Sequence, residues 1–92
     1  MSNSIEFNAS EHRYEIYVDG AVAGFSKASV DSDVVTFPHT VVADEFEGQG
    51  LAGQLVTGAL DDVRARGKKV IATCPYVKRF IEKHAEYADL LV

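Results

Sequence analysis

The feature that most constrains the fold of this chain is a β-branched segment that leads into a glycine-bearing loop and then into a long amphipathic helix. Residues 34–42 are rich in Val and Thr, and the loop after them holds Gly48 and Gly50. From Leu51 onward the apolar residues follow the period of a helix with one apolar face. They are Leu51, Ala52, Leu55, Val56, Ala59, Leu60 and Val63. The order predicts a strand, a loop and a helix that ends at Gly67.

The start of this helix lacks a Ser, Thr or Asp cap, so its first backbone N–H groups are left free. Free N–H groups at a helix N-terminus attract anions. Gly48 and Gly50 have no Cβ, which lets a ligand approach the backbone closely. The pattern predicts a site for a phosphate-bearing molecule, and a simple turn is the alternative. The glycine spacing of dinucleotide-binding folds is not met, and 92 residues are too few for their two halves.

The rest of the chain reads as short strands and a second helix. Ile5 and Phe7 indicate a first strand, residues 13–18 a second and residues 21–28 a third, with a hairpin turn at Asp19-Gly20. Pro38 predicts a bulge or an unpaired edge inside the strand over residues 34–42. Residues 68–73 predict a strand after the helix, and residues 88–92 a short tail.

The predicted order is four strands, a helix, a strand and a helix that opens at Pro75. The strand after the first helix should return parallel to the strand before it, by a right-handed crossover. If these two strands part at the glycine loop, they leave a slot for an extended ligand. We therefore predict an α+β fold: a mixed, mostly antiparallel sheet of about five strands flanked by two helices.

Composition narrows the class of protein. The 92 residues predict a single domain over residues 1–92. The formal net charge of −5 argues against a duplex nucleic-acid partner, which would need many Lys and Arg contacts. One cysteine excludes an internal disulfide, and neither a signal peptide nor a membrane helix is evident. A cytoplasmic setting is the expectation.

Two residues are candidates for catalysis. Cys74 stands at the end of the predicted strand and directly before Pro75, at the N-cap of the second helix. A helix N-terminus favours the thiolate form of a cysteine, so Cys74 is a candidate nucleophile; a small buried residue is the alternative. His39 follows Pro38 on the strand that leads to the loop, and histidine is a general base near neutral pH. A hydrogen-bonded structural histidine is the alternative there.

The second helix carries a candidate ligand contact and several cations. Tyr76 could present its hydroxyl to a ligand, with packing as the alternative. Lys78, Arg79 and Lys83 are interpreted as the solvated face of that helix. His12 and His84 show no metal-ligand spacing with Cys74 or with each other, so no zinc site is expected.

Three segments together resemble the small single-domain branch of the GNAT acetyltransferase superfamily. They are His39-Thr40-Val41-Val42, Glu47-Gly48-Gln49-Gly50-Leu51-Ala52 and Thr73-Cys74-Pro75-Tyr76-Val77. The resemblance covers nearly the whole chain, from Tyr14 to Leu91. It implies an acetyl-CoA-binding N-acetyltransferase domain.

The resemblance also implies roles for individual residues. The loop amides that hold the CoA pyrophosphate in the superfamily correspond here to Gly48, Gln49, Gly50, Leu51 and Ala52. The strand that pairs with the pantetheine arm corresponds to Val41 and Val42, and a cysteine near the acetyl thioester corresponds to Cys74. The superfamily prefers Gln or Arg at the first loop position, whereas this chain has Glu47, a like charge for a pyrophosphate. The N-terminal helices that usually build the acceptor site have no counterpart.

The function predicted from these observations is acetyl transfer from acetyl-CoA to an amine, with the acceptor unidentified. Proximity and polarisation of the thioester would supply the rate enhancement. Cys74 would take the acetyl group transiently or lie against the thioester, and His39 would act as base to the amine. The alternative from another class is a non-catalytic acyl-CoA-binding or protein-interaction module.

Overall fold

The computed structural model describes residues 3–46 and 48–92, which form seven strands, two α-helices and two 3-10 helices. The strands are β1 (Asn3–Asn8), β2 (Arg13–Val18), β3 (Ala21–Lys27), β4 (Ser29–Asp31), β5 (Val34–Phe37), β6 (Thr40–Val42) and β7 (Lys69–Ala72). The α-helices are α1 (Leu51–Ala65) and α2 (Pro75–Lys83), and the 3-10 helices are Asp44–Phe46 and Ala85–Leu90. The predicted α+β class with a mixed sheet is confirmed.

Four of the strands form an antiparallel sheet in the order β1-β2-β3-β6. Tyr14, Ile16 and Val18 of β2 lie in the core, as the sequence predicts, and Glu15 between them is buried as well. The β2–β3 hairpin turns at Asp19 and Gly20, whose φ angles are 49° and 88°. Positive φ at both central residues is the two-residue turn that matches the twist of the strands. The predicted hairpin is therefore confirmed.

A second sheet has the order β4-β5-β7, and the strand predicted over residues 34–42 is divided between the two sheets. β5 pairs in parallel with β7, from Val34 beside Lys69 to Phe37 beside Ala72. β6 pairs antiparallel with β3. The change of partner falls at Pro38, which has no N–H to donate to a ladder. The parallel return and the irregularity at Pro38 are thus confirmed.

The number of strands exceeds five for two reasons. The strand predicted over residues 34–42 divides at Pro38 into β5 and β6. The strand predicted over residues 21–28 ends at Lys27, and the sequence did not predict β4, which follows the fully buried Ala28. In both places the chain crosses from one sheet to the other, so it must leave its first ladder before it joins the second.

α1 buries one face against the four-stranded sheet. Its buried residues are Leu51, Leu55, Val56, Ala59, Leu60 and Val63, all of them on the predicted apolar face. Full burial of a Leu or Val side chain contributes about 1.5–3 kcal/mol. The helix lies close to β1, since a Cβ on Gly58 would come within 2.5 Å of the Ile5 side chain. Gly67 follows the last turn with a φ of +70°, as a helix-terminating glycine should.

The end of the chain is not the tail that the sequence predicts. The 3-10 helix Ala85–Leu90 places Tyr87 and Leu90 in the core, and a bridge joins Leu91 to Val70 of β7. The prediction is wrong because two apolar residues three apart bury on one side of a 3-10 turn. Among the described helices, none has the length and apolar character needed to cross a membrane.

Candidate functional site

The break at Pro38 opens a slot between β6 and the start of α2. β7 ends at Ala72, and the backbone N–H of Cys74 donates to the carbonyl of Phe37 at 2.8 Å. Beyond this bond, β6 stays with β3, whereas the chain after Cys74 turns into α2. The parallel strands β5 and β7 are paired up to Phe37, and the chain segments that follow them separate. A slot lies where they separate, at Pro38, which precedes the glycine loop at which the sequence prediction placed the separation.

Along one edge, the backbone of β6 forms hydrogen bonds with β3. The carbonyl of His39 accepts a β3 backbone N–H at 2.7 Å, and the carbonyl of Val41 lies 2.6 Å from where a Cβ on Gly24 would stand. Antiparallel ladders alternate, so the intervening Thr40 and Val42 direct their N–H and C=O groups away from β3. Thr40 and Val42 therefore offer the free strand edge. The role of Val41 as a ligand contact stays a prediction, and in this register its carbonyl faces β3.

The far end of the slot is the start of α1. Gly50 is the N-cap residue, with a φ of 72°, and no side chain caps the helix. The N–H of Gln54 donates to the carbonyl of Gly50 at 3.2 Å, so the N–H groups of the first turn point out of the helix. Gly48 also has a positive φ, 80°, and a Cβ on either glycine would meet nothing within 4 Å. The open, uncapped helix start that the sequence predicts is present.

A cavity of about 320 Å³ lies in this slot and brings together most of the predicted ligand-binding residues. From the prediction it contains Val42, Gly48, Gly50, Leu51, Ala52 and Tyr76. Gln49 is exposed in the same loop. Thr40, Phe46 and Gly53 also line the cavity, and the sequence analysis did not select them. The charge effect expected of Glu47 concerns a residue outside those that the structure describes.

Cys74 is buried at the end of the slot, with 4% of its surface exposed. It is the N-cap of α2, with Pro75 in the first turn, as predicted. Its Sγ lies 3.7 Å from Oγ1 of Thr40, which is 2.9 Å from Oγ of the fully buried Ser26. The three side chains form a row from the core to the slot. Sequence analysis missed this row, although small hydroxyl residues on the core face of two paired strands were its signal.

His39 lies in the two-residue gap between β5 and β6, and its side chain is exposed. Thr40, the next residue, makes the contact with the cysteine. The role of His39 as general base stays a prediction. Within residues 3–46 and 48–92, no three His, Cys, Asp or Glu side chains are grouped so that they could hold a metal ion.

The comparison with known sequences gives a family and a relative. A family model described as GCN5-related N-acetyl-transferase matches residues 13–90. Protein NATD1 of Bos taurus is 33% identical over 55 residues, which cover 60% of this chain and 49% of that protein. The matched stretch thus spans about half the length of this curated relative.

Solved structures share the fold. The solution NMR structure of a GCN5-like protein from Staphylococcus aureus has a TM-score of 0.73 and 28% identity, over 100% of this chain and 91% of that one. A GNAT family N-acetyltransferase from Escherichia coli, determined in complex with CoA, has a TM-score of 0.57 and 29% identity, over 65% of this chain and 38% of that one. The family match over residues 13–90 contains the divided strand, the glycine loop and both α-helices. On these grounds the chain belongs to the GCN5-related N-acetyltransferase family.

Proposed function

We propose that this protein transfers an acetyl group from acetyl-CoA to an amine. The observation that carries the proposal is the slot, which has a free strand edge along one side and the uncapped start of α1 at one end. CoA has a diphosphate, an extended arm with two amides and a terminal sulfur, in that order. Each part has a chemical counterpart along the slot. The relative from Escherichia coli, which was determined with CoA, supports the assignment.

The glycine loop and the first turn of α1 would hold the diphosphate. Gly48, Gln49, Gly50, Leu51 and Ala52 supply backbone N–H groups, and none of them carries a charge. Binding through amides and the helix dipole suits a chain with a formal net charge of −5. The anion would then be held by backbone geometry rather than by cationic side chains.

The free edge of β6 would pair with the amides of the pantetheine arm. Thr40 and Val42 direct their backbone groups to this side, and Val42 also lines the cavity. A ligand that pairs with a strand edge is fixed in register by main-chain hydrogen bonds. The arm would run from the glycine loop towards Cys74, with Tyr76 forming part of the opposite wall.

The acetyl group would lie at the Cys74 end of the slot. In direct transfer, the amine nitrogen attacks the thioester carbon, the C–S bond breaks, and His39 accepts the proton that the amine loses. In the covalent route, Sγ of Cys74 attacks the thioester carbon, and its proton passes to the CoA sulfur as the C–S bond to CoA breaks. The amine then attacks the acetyl-cysteine, the C–S bond to Cys74 breaks, and the proton from the amine returns to Sγ. The Thr40 hydroxyl, 3.7 Å from Sγ, would orient the thiol in either route.

A turnover assay tests the proposal. Acetyl-CoA is incubated with a panel of lysine peptides and small amines, and CoA release is followed by thiol titration. Cys74 is the single cysteine, so the Cys74→Ala protein adds no thiol of its own to the signal. We expect amine-dependent release that falls at least tenfold in Cys74→Ala and stays unchanged in the exposed control Lys78→Ala. Release that no amine stimulates would contradict the proposal.

Mass spectrometry separates the two routes. A gain of about 42 Da on Cys74 after incubation with acetyl-CoA alone supports the covalent relay. No gain, together with lost turnover in Cys74→Ser, supports a positioning role for the thiol. Full turnover and full CoA affinity in Cys74→Ala would return Cys74 to a packing role, to which its 4% exposure is also suited.

One alternative function has an observation in its favour. Cys74 is buried and packed within the core cluster, as expected if the cysteine only fills space in a CoA-binding or protein-interaction module. Such a module would bind acetyl-CoA and give no turnover. The assay above distinguishes the two, whereas a binding measurement does not.

A cytoplasmic location is part of the proposal. The support is the single cysteine in 92 residues, since small secreted domains are commonly stapled by disulfides. Fractionation of cells that express the tagged protein tests it, and recovery in the secreted fraction would contradict it.

A further inference from the structure

A second cavity, of about 580 Å³, continues from the slot along α2. Gly53 of α1 and Tyr76 of α2 line both cavities. Gly53 lies three residues beyond the Gly50 cap, about 4.5 Å along the helix axis. The second cavity, called here the α2 groove, therefore begins about one helical turn from the proposed diphosphate site. Its volume is within the usual range for small-molecule sites.

Apart from Gly53 of α1, the residues that line the α2 groove belong to α2 and its C-cap. Tyr76, Arg79, Phe80, Lys83 and His84 line it at spacings that place them on one helix face. The rings of Tyr76 and Phe80 are nearly parallel, with centroids 6.4 Å apart, and His84 stacks on Phe80 at 4.2 Å. Tyr76 is 37% exposed. His84 is also exposed, whereas Phe80 is half-buried and packs against the core. Aromatic rings in a row that are at least partly exposed offer a stacking surface for a flat heterocycle.

Two cations belong to the same helix face. Arg79 and Lys83 stand one turn apart and line the groove, whereas Lys78 does not. Arg13, Arg64 and Arg66 each form an ion pair with a carboxylate at 2.7–2.8 Å. Among the residues that the structure describes, Arg79 and Lys83 have no such partner. The interpretation of both as solvated cations explains their exposure but not their place beside the aromatic rings.

We propose that the α2 groove binds the 3′-phosphoadenosine end of CoA and that Arg79 and Lys83 recognise its 3′-phosphate. The inference rests on the proposed function, which places the diphosphate at the start of α1. A ligand that continues from the diphosphate site into the groove must stack on the aromatic rings and neutralise two cations. A purine with a phosphate monoester meets both needs, and a guanidinium pairs with phosphate through two hydrogen bonds. The groove then makes the protein selective for CoA over its dephosphorylated form.

The test compares CoA with dephospho-CoA, which lacks only the 3′-phosphate, by isothermal titration calorimetry at low salt. The variants are Arg79→Ala and Lys83→Ala, and Lys78→Ala on the same helix is the matched control. We expect wild type and Lys78→Ala to bind CoA at least tenfold more tightly than dephospho-CoA. In Arg79→Ala and Lys83→Ala the preference should fall to about threefold or less, with dephospho-CoA affinity unchanged.

The outcomes separate this inference from the function on which it rests. Equal affinity of wild type for both ligands would overturn the groove assignment and leave CoA binding intact. A preference that both alanine variants retain would overturn it as well, since another part of the protein would then read the phosphate. Failure of wild type to bind either ligand would overturn the proposed function itself and the groove assignment with it.

Discussion

The two ends of α1 are built in opposite ways. At the N-terminal end, Gly50 caps the helix without a side-chain hydrogen bond, and a cavity lies in front of it. At the C-terminal end, hydrogen bonds join the helix to side chains from two other elements, β2 and the 3-10 helix Ala85–Leu90. Tyr14 donates to Asp62 at 2.6 Å, Tyr87 donates to Asp61 at 2.7 Å, and Asp89 accepts from Arg64 at 2.8 Å.

The difference shows how one helix can serve both binding and stability. Polar groups at the C-terminal end are matched by the protein, so they contribute to the folded state with or without a ligand. The first N–H groups of the N-terminal end are left for a partner from outside, and their pairing would contribute to affinity. Substitutions at the two ends should therefore act on different measurements.

The largest effect is expected for Gly50→Val. A β-branched residue there should block the approach of the diphosphate, so CoA affinity should fall at least tenfold, about 1.4 kcal/mol. Gly67→Val is the matched control, because Gly67 has nearly the same φ, +70° against +72°, and also has nothing within 4 Å of an added Cβ. Both variants bear the same backbone strain, but only Gly50→Val should lose affinity in calorimetry. Equal affinity in two folded variants would refute the N-terminal site.

Tyr14→Phe should show the reverse pattern. It removes a hydrogen bond to the Asp62 carboxylate that holds α1 to β2, so the free energy of unfolding in urea should fall by about 1 kcal/mol. CoA affinity should stay at the wild-type value, since the bond lies at the other end of the helix. Tyr76→Phe, whose side chain is exposed, should leave stability unchanged. A loss of affinity in Tyr14→Phe would show that the two ends are coupled.

Alkaline pH should weaken the contact between Tyr87 and the C-terminal end of α1. Burial, and then the hydrogen bond to Asp61, raise the pKa of Tyr87 from 10.0 to about 12. A raised pKa means that the folded state favours the protonated phenol. This stabilisation is complete below pH 10 and is lost as the pH rises towards 12. Burial and Asp62 raise the pKa of Tyr14 as well, so its contribution also begins to fall above pH 10.

Unfolding by urea at pH 9, 10 and 11 measures this dependence. We expect the stability of wild type to fall over this range and that of Tyr87→Phe to fall less steeply. Identical slopes for the two proteins would contradict the role assigned to the Tyr87 hydroxyl.

The smallest effect is expected for Arg64→Ala. Arg64 and Asp89 are largely exposed, at 44% and 62%, and exposed ion pairs contribute little. The hydrogen bond from Arg64 to the carbonyl of Glu86, at 2.6 Å, should leave a small residual effect. The melting temperature should fall slightly at low salt, and most of the difference should vanish at about 1 M salt, where charges are screened within about 3 Å. A large fall in melting temperature that does not depend on salt would contradict this account, because it would mean that Arg64 stabilises the protein as a buried residue does.

Much of the fold follows from local patterns in the sequence. The apolar face of α1 repeats at helical spacing, and Asp19-Gly20 marks a hairpin, because both signals lie within a few residues. The division of the strand at Pro38 could be anticipated as an irregularity, but not as a change of sheet. That change depends on which strands are present on either side. The packing of Tyr87 was missed for the same reason, since its partner Asp61 is 26 residues away.

The candidate site, too, could be predicted from the sequence only where its residues are close together along the chain. The glycines and the missing cap of α1 are visible in the sequence, since they are consecutive. The row Ser26–Thr40–Cys74 joins three elements, so only the three-dimensional fold brings it together. Arg79 and Lys83 have the pattern of a solvated helix face, and the sequence alone does not reveal a groove beside them.

The most direct test of the account is a titration of ¹⁵N-labelled protein with CoA, followed by NMR. Because α1 is proposed to bind CoA at its first turn and to serve stability at its last, the amide shifts should divide along the helix. We predict the largest changes at Thr40, Val42, Gly48, Gly50 and Gly53, and small ones from Asp61 to Gly67. Largest changes at the C-terminal end of α1, or none at millimolar CoA, would contradict the account.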